Sequence, residues 1–324
     1  MNMTFNSSLL RRVGVGAIVL AVSGMAWAQQ KVDQTLDTSS SPTVEMEHVY
    51  GKAEIKTWDK DQVRVSGTLG ELTEEFTFEK RGNTVVIDVE VKNNHYRWED
   101  KDDSKDDLVV YVPVNSKLSY ETVNANVKVS GVKGGTSVEV VNGNILLEDL
   151  ARRVNVESVN GDIEVINVSG SLVIESVNGD MEVQHVSEDS LEVTSVNGEI
   201  DLQSNSREIS LETVNGNSKL MLGNVSELSM ASVNGNAKVN MTLAKGGEVE
   251  VDSVGGRIEL SFQSDVSARF EVEAHAGGKI INNLNDTEVK KSKYGPGRWI
   301  DFTMGSGEGK VRVSTVNGRI TLDK

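Results

Sequence analysis

The sequence predicts an all-β fold, a single-domain β-solenoid in which coils of about eighteen residues stack on one another. A tripeptide of the Val-Asn-Gly type recurs from Val123 onwards at steps of 18, 18, 18, 19, 18 and 19 residues. Apolar and polar residues alternate on both sides of each glycine, as in β-strands with one buried face. Each glycine lies between two such strands, where a positive φ angle lets the chain bend.

Alignment of the copies on the glycine separates inward from outward positions. The second and fourth residues after the glycine are mostly aliphatic, as in Ile163 and Val165, and the residue between them is mostly charged. The fifth and seventh residues before the glycine are apolar as well, as in Val156 and Val154. Each copy therefore contains two short strands that meet at Asn-Gly.

An Asn-Gly pair between alternating strands also predicts a β-hairpin, so a meander of hairpins is the rival architecture. A flat meander would leave its aliphatic face uncovered, because the chain shows no helical pattern and no second type of sheet. Stacked coils bury that face and place the asparagines in a ladder whose side-chain amides can bond along the stack. The predicted ladder consists of Asn124, Asn142, Asn160, Asn178, Asn197, Asn215, Asn234 and Asn317.

The N-terminal part is less regular and is predicted to be a cap. Residues 43–112 are interpreted as an irregular β cap, and the stretch from Val44 to Ile55 fits the columns as a degenerate first coil. Tyr50 takes the place of the asparagine in that coil. Residues 29–42 are rich in Ser and Thr and are expected to be a flexible leader.

The repeats occupy residues 113–324 and become irregular toward the C-terminus. Val254-Gly255-Gly256 follows the regular copies, and Ala276-Gly277-Gly278 is a drifted copy. An excursion at 282–309 then interrupts the rhythm before Val316-Asn317-Gly318 closes the chain. The sequence thus predicts coils that stack in chain order between two caps.

Residues 1–28 have the organisation of a secretory signal peptide. Arg11 and Arg12 precede an apolar run at 13–22, and Ala26-Trp27-Ala28 supplies small residues for cleavage after Ala28. A membrane anchor is the weaker interpretation, since a bilayer-spanning helix needs about 20 apolar residues. We therefore expect an exported protein, in the periplasm or at the cell surface, without a transmembrane anchor.

Composition excludes several classes of function. The chain has no cysteine, which excludes disulfides, thiolate metal sites, a cysteine nucleophile and a lipid-anchoring cysteine. The formal net charge is −16, and residues 1–28 carry two arginines and no acidic residue, so the rest of the chain carries −18. Such a charge disfavours contact with nucleic acid.

The ends and the repeat together resemble a known family. Its features here are Val49-Tyr50-Gly51 with Trp58-Asp59-Lys60-Asp61-Gln62-Val63, the segment Asp107-Leu108-Val109-Val110-Tyr111-Val112-Pro113, the reiterated Ser-Val-Asn-Gly, and Ser314-Thr315-Val316-Asn317-Gly318-Arg319-Ile320. They are similar to the bacterial "putative adhesin", or β-strand-repeat, family of cell-envelope proteins of unknown function, over about residues 43–324. The resemblance implies a β-solenoid outside the cytoplasm and brings no catalytic residues.

One column of the repeat is a candidate binding stripe. The position four residues before the glycine is usually acidic, and stacking would place these carboxylates about 4.8 Å apart. Like charges so close repel, so lysines, water, a divalent cation or a basic partner must offset them. The stripe consists of Glu121, Glu139, Glu157, Glu175, Glu212 and Asp252.

The remaining candidates have simpler explanations. His48, His95, His185 and His275 occupy different phases and show no zinc-type spacing, so we expect solvated surface positions and no metal site. The acidic stretch at 100–104 resembles the start of a calcium loop but lacks the required glycine and the distal glutamate. Four aromatic residues are interpreted as cap packing rather than as a sugar platform: Tyr96, Trp98, Tyr294 and Trp299.

The function predicted from these features is that of a non-catalytic, adhesin-like envelope protein that needs no cofactor. Its partner would be an envelope protein, a glycan or another copy of itself. The alternative is a polysaccharide-active enzyme, because β-helices host lyases and hydrolases, but such an enzyme needs carboxylates or basic residues that converge in one groove. A signalling partner in an envelope-stress pathway is a third hypothesis.

Overall fold

The computed structural model describes residues 30–91 and 105–324, which form 25 β-strands. Among these residues no helix has the length and apolarity needed to cross a membrane. The predicted signal peptide, His95, Tyr96, Trp98 and the acidic stretch at 100–104 lie outside the described residues. The strands of the N-terminal end are β1 (Gln30–Asp37), β2 (Thr43–Trp58), β3 (Gln62–Leu69), β4 (Thr73–Arg81), β5 (Thr84–Val91) and β6 (Asp106–Pro113).

The repeat body and the C-terminal end contain the other strands. The body consists of β7 (Lys117–Ser130), β8 (Thr136–Asn142), β9 (Ile145–Glu148), β10 (Val154–Asn160), β11 (Ile163–Val168), β12 (Leu172–Asn178), β13 (Met181–His185), β14 (Leu191–Asn197), β15 (Ile200–Ser204), β16 (Glu208–Asn215), β17 (Ser218–Asn234), β18 (Ala237–Ser253) and β19 (Arg257–Ser261). The C-terminal end consists of β20 (Ala268–Ala274), β21 (Lys279–Asn282), β22 (Lys290–Lys291), β23 (Arg298–Thr303), β24 (Gly309–Thr315) and β25 (Arg319–Asp323).

The two strands of each repeat pair with other coils and not with each other. β10 lies parallel to β8 on one side and to β12 on the other, so that Asn160 is level with Asn142 and Asn178. The strands that follow the glycine repeat this pattern, with β11 between β9 and β13. The predicted β-solenoid is therefore confirmed, and the meander of hairpins is wrong.

Each coil has two strand faces and a shorter third side. Inward aliphatic residues such as Val156 and Val165 are fully buried, and they belong to one continuous core that runs through the stack. Val132, Leu150 and Val168 close the third side and are buried as well. Burial of apolar side chains shared between neighbouring coils is the main stabilising term of such a stack.

In most repeats the glycine serves close stacking as well as the bend, although Ala125 takes its place in the first regular copy. Gly161 has a φ angle of 142°, a backbone conformation that residues other than glycine rarely adopt. A Cβ atom added at Gly161 would lie 2.1 Å from the carbonyl oxygen of Gly143 in the preceding coil. Any side chain at this position would therefore push two coils apart.

The N-terminal end departs from chain order. β2 pairs with β7 on one side, while β5 and β6 cover its two halves on the other side, so the first coil in the sequence is not the outermost. The degenerate coil from Val44 to Ile55 keeps the register of the repeat, with Met46 level with Tyr120. The outer edge is closed by antiparallel strands, because β3 pairs with β6 and β4 pairs with β5.

The expectation of a flexible leader at 29–42 is wrong for most of that segment. Residues 30–37 form β1, which pairs antiparallel with β3 over its whole length. Val32 is buried on this strand and Leu36 packs against the core. The alternation of these two apolar residues with polar ones suits an edge strand, and it outweighs the polar composition of the segment.

The C-terminal end also departs from chain order, which corrects the predicted sequential stack. β24 lies between β18 and β20, and β25 lies between β19 and β21. The coil of Val316-Asn317-Gly318 is therefore inserted inside the stack. The excursion at 282–309 returns as β23, which covers β20 in antiparallel orientation and stacks Phe302 on Phe270 at 4.7 Å between ring centroids.

Candidate functional site

An uninterrupted row of six carboxylates runs along the outer surface of the N-terminal half. The stacked strands β5, β2, β7, β8, β10 and β12 each contribute one outward residue at the same level of the register. Strand spacing sets these residues about 4.8 Å apart. In spatial order, the acidic row consists of Asp88, Glu47, Glu121, Glu139, Glu157 and Glu175.

Burial and mutual repulsion weaken the ionisation of this row. Burial, followed by the charges of neighbouring carboxylates, raises the pKa of Glu47, Glu139 and Glu157 above its usual value. The same causes, burial first and then chiefly the charge of Glu47, raise the pKa of Asp88 to about 6. Among the described residues, no ion pair neutralises any member of the row. A cation placed along the row would therefore reduce the repulsion between carboxylates that the stacking of the coils brings together.

The structure separates the two other members of the predicted stripe from the row. Thr194 lies between Glu175 and Glu212, and Ala231 lies between Glu212 and Asp252. The hydroxyl of Ser314 donates a hydrogen bond to Asp252 at 2.5 Å. The uninterrupted part of this carboxylate column thus lies in the N-terminal half of the solenoid.

A second row, of valines, accompanies the carboxylates. The residue two before each glycine is a valine that points outward at the bend, and Val123, Val233, Val254 and Val316 each expose 39–46% of their surface. A groove of about 230 Å³ lies between the acidic row and the neighbouring valines, and a second groove of about 390 Å³ continues it toward the C-terminal end. We refer to these residues as the valine row: Val49, Val123, Val141, Val159, Val177, Val196, Val214, Val233, Val254 and Val316.

Part of this site was missed at the level of sequence. Glu47 stands four residues before Gly51, so extension of the acidic column into the degenerate first coil would have found it. Asp88 had no such signal, because β5 lies outside the repeat and only the tertiary pairing brings it level with Glu47. The valines were used to define the repeat, and their exposure follows from the bend at Asn-Gly.

The asparagine ladder holds the coils in register beneath this surface. Nδ2 of Asn142 donates to Oδ1 of Asn124 at 2.9 Å, and the same bond recurs along the stack as far as Asn234 and Asn215, at 3.4 Å. Asn317 does not extend this chain, because Gly255 of the intervening coil lies between it and Asn234. The inclusion of Asn317 in the predicted ladder is therefore wrong.

A second ladder, not expected from the sequence, follows the glycines. In most coils the residue after the glycine accepts a hydrogen bond from the backbone N–H at the same position of the next coil, as in Asp162 Oδ1 and the amide of Asp180 at 3.0 Å. Asn126 and Asn144 do the same. The two ladders explain why strands bearing like charges stay in register despite repulsion.

A further concavity, of about 770 Å³, lies on the other strand face and is electrostatically different. Most of its carboxylates have partners: Asp107 pairs with Lys52 at 2.9 Å, and Asp201 pairs with Lys219 at 2.7 Å. Oxygens of Asp162 and Asp180 accept backbone hydrogen bonds. Because lysines and hydrogen-bond donors already contact most of its carboxylates, this face is the weaker candidate for a charged ligand despite its size.

Two histidines are buried, which corrects the expectation of solvated positions. Nε2 of His185 donates to the carbonyl oxygen of Gly170 at 2.6 Å, Nδ1 lies 3.1 Å from the hydroxyl of Ser204, and burial lowers the pKa of this histidine. His48 fills the inward position that is usually Ser or Thr in the repeat. His275 is exposed, as predicted.

His48 belongs to a buried network that joins the cap to the first coils. Its Nε2 lies 3.0 Å from Asp106 Oδ2, and its Nδ1 lies 3.0 Å from the hydroxyl of Tyr120. The other oxygen of Asp106 accepts hydrogen bonds from the amide of Gly70 at 2.6 Å and the hydroxyl of Thr73 at 2.9 Å. Burial raises the pKa of Tyr120, so its hydroxyl stays protonated and available to donate. The network links segments that are far apart in the sequence.

No cluster of His, Asp and Glu within residues 30–91 and 105–324 has the arrangement of a metal site. The acidic row is linear, with one carboxylate per coil, whereas a metal ion needs ligands that converge on a point. Of the aromatic candidates, Tyr294 is 86% exposed and Trp299 is partly buried on β23. The row can therefore offer an extended negative surface, and no described residue pattern offers a closed pocket for a metal.

These features define a class of protein: a parallel β-solenoid with a charged, grooved lateral surface, in which the order of the coils departs from chain order at both ends. Residues 50–323 match the model of the Toastrack DUF4097 family, and the chain belongs to this family, as the resemblance implied. No curated protein matches this sequence.

Three solved structures are similar over most of their length. One is described as a "putative cell adhesion protein" from Clostridium sporogenes ATCC 15579, with 9% identity and a TM-score of 0.26, covering 91% of this chain and 99% of that one. A "putative lipid binding protein" from Parabacteroides distasonis ATCC 8503 has 10% identity and a TM-score of 0.38, with 91% and 97% covered. A "putative adhesin" from Bacteroides fragilis NCTC 9343 has 12% identity and a TM-score of 0.29, with 92% and 100% covered.

Proposed function

We propose that this protein is an exported, non-catalytic envelope protein that binds a cationic and partly apolar partner along the acidic row and the valine row. The observation that carries the proposal is the run of six carboxylates without ion-pair partners among the described residues, beside a groove lined by outward-facing valines that are partly or, at Val123, well exposed. Basic side chains would neutralise the row, and apolar side chains would cover the valines. Export is supported by the features of residues 1–28.

The arrangement of the carboxylates supports a binding role over catalysis. General acid–base catalysis depends on two groups whose environments push their pKa values apart at one reacting point. The row instead repeats one environment from coil to coil, and only Asp88 at its end differs substantially. A screen with polyuronates and envelope glycans is expected to show no turnover, and turnover abolished by Asp88→Asn would overturn the non-catalytic assignment.

A short peptide tests the binding proposal. Six carboxylates about 4.8 Å apart span about 24 Å, which an extended peptide of about eight residues covers at about 3.3 Å per residue. We expect a peptide of alternating lysine and valine to bind in a calorimetric titration, and its counterpart of alternating glutamate and valine not to bind. Substitution of Glu139→Gln together with Glu157→Gln should weaken binding at least about tenfold, or about 1.4 kcal/mol.

The chain offers a matched control on the other strand face. Glu164→Gln together with Glu182→Gln makes the same change in net charge at exposed positions outside the groove. We expect this pair to alter the affinity less than about twofold, the range of weak long-range electrostatics at moderate salt. Equal losses in both double variants, or equal binding of both peptides, would contradict a site at the acidic row.

A further inference from the structure

The outward row that begins with carboxylates ends with basic and aromatic residues. Beyond the acidic row the same level of the register continues across the C-terminal half, through Asp252, Ser314 and Glu273. It then passes to Trp299 on β23 and finally to Lys290 on β22, each level with its neighbour. One lateral surface of the solenoid is therefore negative at its N-terminal end and positive at its C-terminal end.

The positive end is a hairpin with an unusual composition for this chain. Residues 290–299, which we call the basic hairpin, contain Lys290, Lys291, Lys293 and Arg298 and no acidic residue, within a chain of formal charge −16. Tyr294 at its tip is 86% exposed, and the Nζ atom of Lys293 lies 5.2 Å from the centre of its ring. Among described residues only Lys290 of the four has an ion-pair partner, Asp301 at 3.8 Å.

We propose that the basic hairpin of one molecule docks on the acidic row and valine row of a second copy, with the two solenoids side by side and antiparallel. The inference rests on the proposed function and names the partner of that site. Antiparallel contact places the C-terminal end of each copy against the N-terminal end of the other. The contact then forms twice about a two-fold axis and closes as a dimer.

The chemistry of the two surfaces is complementary at several levels. The cations of the hairpin meet carboxylates whose ionisation is otherwise opposed by burial and by their neighbours. The exposed ring of Tyr294 offers an apolar face with a polar tip, which suits a groove lined by valines and carboxylates. Pairing would remove like-charge repulsion within both surfaces at once.

An anionic lipid surface is the other chemistry that a basic, aromatic hairpin could meet. The position of the hairpin argues against it, because the hairpin lies on the same lateral surface as the six carboxylates. A membrane laid against that surface would also meet the acidic row and be repelled. A second copy satisfies both ends of the surface, whereas a membrane satisfies one.

Charge reversal tests the proposal by sedimentation velocity of the full chain. One variant reverses the hairpin, with Lys290→Glu, Lys291→Glu and Lys293→Glu. The other reverses the row, with Glu121→Lys, Glu139→Lys and Glu157→Lys. We expect the unmodified chain to dimerise, each variant alone to self-associate at least about tenfold more weakly, and their equimolar mixture to form a heterodimer, because each reversed surface then meets its complement.

Controls separate this contact from general effects of charge. Reversal of Lys128, Lys219 and Lys238 on the other strand face makes the same change in net charge and should leave the dimer unchanged. Raising the salt from about 50 mM to about 500 mM should weaken the dimer of the unmodified chain, since the screening length falls severalfold. If the row-reversed chain fails to fold by circular dichroism, Glu121→Gln, Glu139→Gln and Glu157→Gln replace it, and weaker self-association is still expected.

The outcomes distinguish this inference from the function on which it rests. A chain that stays monomeric while the lysine–valine peptide still binds the row overturns the dimer and leaves the proposed function standing. A monomeric chain that also fails to bind the peptide overturns both. A mixture of reversed variants that does not associate, or a hairpin reversal that abolishes binding to anionic phospholipid vesicles but not self-association, overturns the dimer as well.

Discussion

The repeat body and the two ends of this molecule are built from the same coils but connect them differently. In the body, each coil lies on the one that precedes it in the sequence, as β8, β10 and β12 do. At both ends the coil nearest the chain terminus lies inside the stack. A later segment of the chain covers it at the N-terminal end, and an earlier segment covers it at the C-terminal end. β2 is enclosed in this way at one end, and β24 with β25 at the other.

The difference shows that a regular stack of coils needs other strands to close its two ends. The last coil of a regular stack would leave a row of backbone N–H and C=O groups open to pairing with other chains. Here, strands that pair antiparallel with their neighbours lie at those edges, namely β1, β3 and β4 at one end and β23 at the other. The ends therefore depend on contacts between residues far apart in sequence, whereas the body depends on a spacing of about eighteen residues.

The largest expected effect would break the body at a single coil. Gly161→Ala should cost about 3–5 kcal/mol of unfolding free energy, because its Cβ would lie 2.1 Å from the carbonyl oxygen of Gly143 and its φ angle of 142° is strained for alanine. Gly82→Ala is the matched change at the end, where φ is 66° and no atom lies within 4 Å. It should cost only about 1 kcal/mol.

Urea unfolding followed by circular dichroism measures both variants. A loss at Gly161 no larger than that at Gly82 would mean that the glycine serves only the bend. The close stacking of coils would then not be what excludes a side chain from the body.

The next effect would loosen the N-terminal end while leaving the body intact. His48→Ala removes a buried partner of Asp106 and of Tyr120, and it should cost about 3 kcal/mol because it leaves a buried carboxylate with one partner fewer. Hydrogen exchange should show lost protection first in β5 and β6, ahead of β10 to β16. His275→Ala, at an exposed histidine beside Glu273, should cost less than about 0.5 kcal/mol. Uniform loss of protection along the chain would contradict a separate end.

The smallest effect concerns the acidic row where the end meets the body. The pKa of Asp88 is raised to about 6 from 3.8, so the folded state binds its proton more readily than the unfolded state. The stability linked to this proton is present below the unfolded pKa and is lost as the pH rises through about 6. Asp88→Asn should therefore stabilise the protein by about 1 kcal/mol near neutral pH, after allowance for solvent screening, and by less at about pH 4.

Asp33 provides a control of opposite sign. Arg64 donates to its carboxylate and lowers the pKa of Asp33, so its charge favours the folded state once the pH is above the unfolded pKa. Asp33→Asn should thus destabilise the protein slightly at neutral pH. Urea unfolding at two pH values checks both variants. A change of the free energy of unfolding in the same direction for both would contradict the electrostatic origin of the effect at Asp88.

The sequence was informative wherever the period of the repeat applies. Columns such as Ile163 and Val165 identified the buried residues, and the four adjacent glutamates from Glu121 to Glu175 are in the row as the spacing predicted. Interpretation failed for β1, since an edge strand with two apolar residues has too weak a pattern to stand out. It also failed for His48, because burial of a histidine depends on Asp106, a partner 58 residues away.

The sequence by itself determined which residue lies over which within the body, because a fixed period allows only one register in which every aliphatic side chain is buried. Tertiary structure alone decided the order of coils at the two ends and the entry of Asp88 into the acidic row. The physical reason is that any coil with the common pattern can stack on any other. The choice among such arrangements rests on edge closure and on contacts between distant segments, which leave no periodic trace in the chain.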